Sequence, residues 1–190
     1  MTYDIIKQRR AIRKYAQKPV PKKILESCVD AARLSPSGLN CQPLKYCIID
    51  ELNLVQEVFK TVKWAGYLPE YGPTVKEMPV AYIVILLDKK IRANCGHDAG
   101  IAAMSISMVA FSEGLGSCIM GAIERPKLKE ILNVPESLDI VLVVALGYPA
   151  ENPVVDKVIG GNIKYWLDEN QVLHVPKRSN EEIVHWNGYQ

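Results

Sequence analysis

The chain has 190 residues, of which 48% are hydrophobic and 23% are charged, and its formal net charge is +2 at pH 7. This globular composition excludes a disordered chain, a collagen-like repeat and a coiled coil, so we expect residues 1–190 to form a single domain. The charge is unevenly distributed, because residues 1–23 hold eight basic side chains and one acidic one, a net charge of +7, and the remaining chain carries −5.

The cysteines and the apolar segments bear on metal binding and location. Five cysteines, an odd number without any C-x-x-C pair, argue against a disulfide framework and a structural zinc site, so we expect reduced thiols and no metal. The first residues contain no apolar signal-peptide segment, and the longest apolar stretches are far shorter than a bilayer span. We therefore expect a cytoplasmic protein with no membrane partner.

The first half of the chain predicts helices that lead into a long loop. Residues 3–14 combine isoleucines with cations, which predicts a short helix followed by a turn. Pro21 fits the first position of a second helix. Residues 46–49 predict a short strand, and residues 52–63 predict a helix. Residues 64–79 contain three prolines and two glycines, and this composition predicts a long irregular loop of the kind that often acts as a lid.

The second half contains the strongest strand pattern. Residues 80–87 are an unbroken apolar run rich in β-branched side chains, which predicts a central strand covered on both faces. Asp98 is a candidate N-cap for a helix that ends at Gly114. The remaining predicted elements are a helix over residues 126–134, a buried strand over 140–146, a hairpin joining 165–167 to 172–175, and a terminal helix that begins with the capping box Ser179-Asn-Glu-Glu182. This order predicts an α+β or mixed α/β fold.

Two groups of cations are candidate anion-binding residues. In a helix over residues 3–14, Arg9 and Arg13 would share one face, where like charges repel unless an anion lies between them. Guanidinium groups bind phosphate oxygens bidentately, so a phosphate is the natural occupant, and a solvated basic face is the alternative. The pair Lys177-Arg178 precedes the capped helix, where free N–H donors favour an anion, although ordinary surface charge explains this pair as well.

Two segments of small residues are candidate ligand loops. Residues 35–43, SPSGLNCQP, offer amide and hydroxyl groups to a planar heterocycle, although a plain turn fits equally well. In residues 114–121, GLGSCIMG, Gly121 would let the backbone approach a ligand closely. The Rossmann, Walker, metalloprotease and nucleophile-elbow motifs are absent from the sequence. Cys118 has no identifiable base, so inert packing is the favoured interpretation of this thiol.

Taken together, five segments resemble the nitroreductase family of FMN-dependent oxidoreductases. They are residues 9–15 (RRAIRKY), 31–43 (AARLSPSGLNCQP), 114–121 (GLGSCIMG) and 145–149 (ALGYP), and the pair Lys177-Arg178. The resemblance covers nearly the whole chain. It implies an α+β fold with a central mixed β-sheet flanked by helices, and an intertwined homodimer with two FMN sites at its interface.

The resemblance also implies which residues bind the cofactor. The phosphate and the pyrimidine edge of FMN would be held by Arg9, Arg10 and Arg13, joined at the phosphate by Lys177 and Arg178. The flavin ring would contact Pro36, Ser37, Gly38, Asn40 and Gln42, in this family partly from the other subunit. Ala11 stands where the family commonly has serine, and the backbone at Met120 and Gly121 would lie on the N5 side of the flavin.

In this reading no side chain is catalytic, because the flavin itself carries out the redox chemistry. NADH or NADPH would reduce the bound FMN, and a nitroaromatic, a quinone or a related small acceptor would then replace the nicotinamide in a ping-pong scheme. Leu44 and Ile119 replace two tryptophans of the family pattern, which predicts a smaller and more aliphatic pocket.

Three alternative functions stand beside this one. Two keep the flavin and change the reaction, to reductive dehalogenation or to flavin fragmentation. Loop 64–79 would carry that difference, with Lys63 and Tyr67 as candidate substrate contacts, although both also fit as ordinary exposed loop residues. The third alternative is a non-catalytic binder of anions or nucleic acid, but we expect no nucleic-acid partner because only Tyr15 interleaves the basic residues.

Overall fold

The computed structural model describes residues 2–189, and its centre is a five-stranded sheet. The strands are β1 (Tyr15–Ala16), β2 (Leu44–Ile49), β3 (Ala81–Asp88), β4 (Gly116–Met120) and β5 (Leu138–Pro149). Their order is β1-β5-β3-β2, and β4 pairs with β5 as well. A second sheet has the order β6-β8-β7 and is built from β6 (Val154–Lys157), β7 (Trp166–Leu167) and β8 (Leu173–Lys177).

Helices cover both faces of the five-stranded sheet. The helices are α1 (Thr2–Gln8), α2 (Lys22–Leu34), α3 (Leu52–Phe59), α4 (Asp98–Ser112), α5 (Arg125–Ile131) and α6 (Asn180–Ile183). Successive side chains of a strand point to opposite faces. In β3, Ile83 and Ile85 therefore pack into the core formed with α2 and α4, whereas Tyr82 and Val84 pack into the core formed with α3 and α5. This arrangement confirms the prediction of a central strand buried on both faces.

The predicted helix over residues 3–14 is wrong in its second half. Helix α1 ends at Gln8, and the chain that follows is extended where it reaches the sheet. Ala11 forms a parallel bridge with Ser117, and the Ile12 N–H donates to the Ser117 carbonyl at 2.9 Å. The edge of β4 supplies partners for the backbone groups that a helix would otherwise pair, so Arg9 and Arg13 do not share a helical face.

The α+β class is confirmed, and the strand directions refine it. The pairs within the five-stranded sheet are antiparallel, and its parallel contact is the bridge between Ala11 and Ser117. The small sheet is mixed, because β6 and β8 run parallel whereas β7 and β8 run antiparallel. Strand β4 was not predicted from the sequence, since its five residues follow a glycine pair and show no clear alternation.

The remaining predictions are confirmed with small shifts. Residues 64–79 form a loop whose only helical turn among the described residues is Pro69–Tyr71. Asp98 is the first residue of α4 instead of its cap, because its carboxylate accepts a hydrogen bond from Gly38. The Ser179 capping box forms, but α6 ends at Ile183. The helices between residues 2 and 189 include none long and apolar enough to cross a membrane.

Candidate active site

The extended segment 9–16, here called the arm, lies across β4 and β5. Ile12 is bonded to Ser117, the Tyr15 N–H donates to the Glu77 carbonyl at 2.9 Å, and Tyr15 pairs with Pro149. Two glycines make this close approach possible. A β-carbon at position 147 would lie 2.9 Å from the Tyr15 Cδ1, and one at position 116 would be closer still to Ile12. The sheet therefore fixes the position of the arm's arginines.

The arginines of the arm form a positive cluster without a counter-ion. Arg9 is half-buried, and its Nε is enclosed without a hydrogen-bond partner in the described part of the chain. Burial lowers the pKa of Arg9, and burial together with the charge of Arg9 lowers the pKa of Arg10. No carboxylate among residues 2–189 forms an ion pair with Arg9, Arg10 or Arg13. An anionic group such as a phosphate would compensate this charge.

Arg10 and Arg13 leave the arm in different directions. The Arg10 guanidinium donates to the carbonyls of Arg9 and Lys7, and it lines a cavity of about 170 Å³ with Gly116. The Arg13 guanidinium lies over the ring of Tyr165, with its Cζ 5.1 Å from the ring centroid. Such a contact between a cation and a π-system holds the side chain beside the ring.

The predicted substrate contacts Lys63 and Tyr67 both lie close to predicted cofactor residues. The Lys63 N–H donates to the carbonyl of Ala122 at 3.0 Å, and Ala122 is the residue after Gly121. The Tyr67 N–H donates at 3.0 Å to the hydroxyl of Tyr165, and the Arg13 guanidinium lies over the ring of the same tyrosine. Both side chains are exposed, so the alternative of ordinary loop residues stays open for them.

The end of β4 leaves space beside its backbone. Met120 is buried and pairs with Val143. A β-carbon at Gly121 would meet only the Leu142 Cδ2, at 3.9 Å, and the Gly121 carbonyl accepts a hydrogen bond from Arg125 at 3.2 Å. The open side of Gly121 fits the predicted approach of a flavin ring.

Residues 35–43, here called the ring loop, hold their shape through local hydrogen bonds. Ser37 Oγ accepts the Gln42 N–H at 3.0 Å, and the Gln42 side chain donates to Asn40. Leu39, Asn40 and Gln42 all have positive φ values, between 51° and 55°. The Gly38 N–H is fixed by buried Asp98 at 3.0 Å. Pro36 lines a cavity of about 140 Å³ that also includes Ser37 and Gln42.

The ring loop and the arm do not meet within one chain. In the described part of the chain no hydrogen bond or ion pair joins the ring loop to Arg9, Arg10 or Arg13, and the two regions line different cavities. The expected contribution of the other subunit to the site stays a prediction.

The second basic pair also lies apart from the arm. Lys177 is the last residue of β8 and Arg178 follows it, and both line an open groove with Gly160 and Ser179. Arg178 forms an ion pair with Glu182 at 3.5 Å. No described contact joins either residue to the arm, so their predicted role at the phosphate stays a prediction.

Sequence reasoning missed the acidic and aromatic partners of the arm. Glu151 accepts hydrogen bonds from the arm's backbone and from Tyr71, and Tyr165 supports Arg13. The one sequence signal for Glu151 was an acid directly after the strand-ending segment 145–149. Nothing in the sequence placed it opposite residues with a net charge of +7.

The fold and the arm define an α+β protein with helices on both faces of its central sheet and partly buried arginines beside β4. Comparison with known proteins identifies the class. The model of the Nitroreductase family matches residues 6–148. The chain belongs to the nitroreductase family and is an oxidoreductase.

Individual relatives agree with this family. A Methanothermobacter thermautotrophicus protein, provisionally named an NADH dehydrogenase/NAD(P)H nitroreductase, is 31% identical over 160 residues, which cover 79% of this chain and 78% of that protein. The iodotyrosine deiodinase of Thermotoga neapolitana is 22% identical over 78% of this chain and 89% of its own length. The crystal structure of an FMN-dependent nitroreductase from Clostridium difficile R20291 superposes with a TM-score of 0.71 at 25% identity, covering 97% of this chain and 98% of that one.

Proposed function

We propose that this protein is an FMN-dependent oxidoreductase that uses NADH or NADPH in a ping-pong scheme to reduce nitroaromatic, quinone or related small acceptors. The observation that carries this proposal is the arm. Its half-buried Arg9 has an enclosed Nε without a partner, and its three arginines form no ion pair in the described structure, where the nearby Glu151 carboxylate bonds to the Arg13 backbone instead. A bound phosphate would satisfy these groups, and a dinucleotide-binding motif that could explain them otherwise is absent from the sequence.

The proposed contacts follow the geometry of the arm and of β4. Arg9 and Arg10 would hold the phosphate, Arg13 would reach the pyrimidine edge, and the backbone at Ala11 would line the same edge. The open side of Gly121, after Met120, would receive the ring. Bound FMN would supply the two-electron chemistry, and the fixed guanidinium groups would favour the negatively charged reduced flavin.

We further propose that residues 1–190 act as one FMN-binding domain within an intertwined homodimer. Several large apolar side chains that are exposed in the single chain support this. Leu39 of the ring loop is 93% exposed, and Trp186 near the C-terminus is 79% exposed. On the outer side of α4, Ile101 and Met104 line an open groove. In such a dimer the ring loop, and the pair Lys177-Arg178, would reach the FMN held by the partner's arm.

The five free cysteines support a cytoplasmic location within this proposal. The half-buried position of the arm's arginines also favours a cofactor site over a nucleic-acid surface, because a phosphate backbone is bound by exposed cations. The remote alternative of a non-catalytic anion or nucleic-acid binder predicts no chromophore and a strong salt dependence of binding.

An absorbance spectrum of the purified protein tests the proposal. We expect a yellow protein that releases FMN on denaturation and whose flavin band bleaches when NADH or NADPH is added without oxygen. Addition of a nitrofuran should then restore the band. A colourless protein that takes up no added FMN would overturn the proposal.

Reductive dehalogenation is the second candidate. The relatives named iodotyrosine deiodinase favour it, together with the aromatic pair of Tyr67 and Tyr165, whose ring centroids lie 5.1 Å apart beside the arm. Such a pair can stack on a halogenated phenol. Steady-state turnover of an iodinated phenol, compared with a nitrofuran under the same reductant, separates the two reactions. Loss of the flavin spectrum without either turnover would instead point to flavin fragmentation.

A further inference from the structure

One carboxylate joins the arm to the long loop. Glu151 lies two residues after β5 ends and is half-buried. Its Oε1 accepts the backbone N–H groups of Arg13 and of Lys14, the latter at 3.3 Å. Its Oε2 accepts the hydroxyl of Tyr71, which is buried in loop 64–79. Each oxygen of Glu151 therefore serves a different segment.

The chemistry of this bridge makes it stable across the working pH range. Hydrogen bonds that end on an ionised carboxylate are roughly twice as strong as those between neutral groups. Burial, and the hydrogen bond and charge of Glu151, raise the pKa of Tyr71 well above its usual value, so the phenol keeps its proton and remains a donor.

Further contacts tie the same two segments together. Lys14 lies over the Tyr71 ring, with its Nζ 4.8 Å from the ring centroid, and it pairs with Glu77 at 3.8 Å. On the other side, Arg13 stacks on Tyr165, which in turn holds the backbone of Tyr67. Tyr71 and Glu77 of loop 64–79 thus contact Lys14, and Tyr67 is linked to Arg13 through Tyr165. Glu151 hydrogen-bonds to both segments, as does Gln17, whose Nε2 donates to the carbonyls of Tyr15 at 3.2 Å and of Met78 at 2.9 Å. The Tyr15 N–H also donates directly to the Glu77 carbonyl at 2.9 Å.

We propose that Glu151 is a positioning residue that couples loop 64–79 to the cofactor arm, so that FMN on the arm orders the loop over the substrate face. The inference rests on the proposed function. Because linkage is reciprocal, an aromatic acceptor that orders the loop also tightens the hold on FMN by the same factor.

The experiment measures the coupling directly by tryptic cleavage of the loop after Lys76, an exposed residue. We compare cleavage rates without FMN and with saturating FMN for the wild type, Glu151→Ala, Glu151→Gln and Tyr71→Phe. Glu70→Gln is the matched control, because this exposed acid belongs to the same loop, directly before Tyr71, and forms none of the bridge's hydrogen bonds. Kd for FMN is obtained by fluorescence titration of each protein.

In the wild type and in Glu70→Gln, FMN should slow cleavage at least about fivefold. In Glu151→Ala the rate should be the same with and without FMN, and Kd for FMN should rise by roughly tenfold, the loss expected from one charge-assisted hydrogen-bond group. Glu151→Gln keeps an oxygen for the Arg13 amide and should restore most of the FMN-dependent protection. Tyr71→Phe should lose the protection while its Kd rises only about threefold.

Several outcomes separate the two proposals. A wild type that binds no FMN overturns the proposed function, and the coupling to a cofactor falls with it. A wild type that binds FMN, with equal FMN-dependent protection in Glu151→Ala and Tyr71→Phe, overturns the coupling alone. If Glu151→Ala does not fold, Tyr71→Phe decides the question by itself. Amide exchange of Arg13 and Lys14, faster in Glu151→Ala than in Glu70→Gln, reports the bridge independently of FMN.

Discussion

Gly116 lies so close to Ile12 that a β-carbon at position 116 would stand 2.6 Å from the Ile12 Cγ1 and 2.7 Å from its Cβ. Ile12 is buried and β-branched, and its amide is bonded to Ser117. The side chain therefore cannot move aside, so the arm and β4 approach at a distance that only glycine permits.

Gly116→Ala should displace the arm. We expect a loss of about 1–3 kcal/mol in the free energy of unfolding, the usual cost of forcing extra volume into a packed site, together with weaker FMN binding. Urea unfolding and FMN titration measure the two effects.

Gly38→Ala is a matched control for this prediction. A β-carbon there would also lie 2.6 Å from its neighbour, but the neighbour is the Nη1 of Arg92, the far end of a flexible side chain. Because the Arg92 side chain can adopt another rotamer, we expect the free energy of unfolding of Gly38→Ala to change by no more than about 0.5 kcal/mol. If Gly116→Ala and Gly38→Ala lost the same free energy of unfolding, the close contact between Gly116 and Ile12 would not be the cause of the loss.

Arg9→Ala and Arg178→Ala should each weaken FMN binding. Removal of one guanidinium from a phosphate site costs about 1.5–3 kcal/mol, or roughly a 10- to 150-fold rise in Kd. Arg33→Ala is the control, because Arg33 is exposed and pairs with Asp30 in its own helix. Unchanged affinity in both test variants would refute the phosphate assignment, and a change in Arg9→Ala alone would remove Arg178 from the site.

Stability should fall as the pH rises from 9 towards 11. Burial, assisted by the charge of Glu113, raises the pKa of Cys28 from 9.0 to about 11. The folded state then keeps a proton that the unfolded chain loses, so the stabilisation is complete below pH 9 and is lost as the pH passes through 11. A difference of two pKa units corresponds to about 2–3 kcal/mol.

The contribution of the Cys28 thiol can be isolated by comparing how the unfolding free energy of cysteine variants and of the wild type changes with pH. Cys28→Ala should show a smaller loss of stability than the wild type between pH 9 and 10, because the contribution of the buried tyrosines, whose pKa values burial raises, is common to both proteins. Cys41→Ala, at a half-exposed thiol, should keep the wild-type slope. The unfolding free energy from urea titrations at each pH gives the slopes. A Cys28→Ala slope equal to that of the wild type would show that another group is responsible.

The proposed homodimer should depend on the outer side of α4. Ile101→Glu places a charge in the open groove that also contains Met104 and Met108, so we expect a monomer by sedimentation velocity and a large loss of bound FMN. Ile159→Glu is the control, since Ile159 is 79% exposed and lies outside that groove. A wild type that is monomeric with FMN bound would contradict the shared site.

The helices and strands that pack against the core could be predicted from the sequence, whereas the extended conformation of the arm could not. Residues 80–87 predicted β3 because burial on both faces leaves no polar position in the strand. The arm carries the same isoleucine and cation pattern as α1, and its extended form depends on the free edge of β4, which lies about 100 positions away in the chain. Glu151 shows the same limit, since its partners Arg13 and Tyr71 come from distant segments.

Within the site, residue types were easier to predict than neighbours. The arginines of residues 9–13 indicated an anion site even though the helix that was expected to align them does not form. The ring loop and the arm line different cavities, and this was not predicted because a single sequence carries no signal for which distant segments share a cavity.

The bond between the Arg13 amide and Glu151 spans 138 positions of the chain. At the usual synthesis rate of about 5–20 residues per second, the arm leaves the ribosome roughly 7–28 s before the strand end and the carboxylate that hold it. Tyr15 likewise cannot form its strand pair until Pro149, its partner in β5, has been synthesised. Both contacts therefore form only after β5 has been synthesised, and until then the arm has neither of these partners.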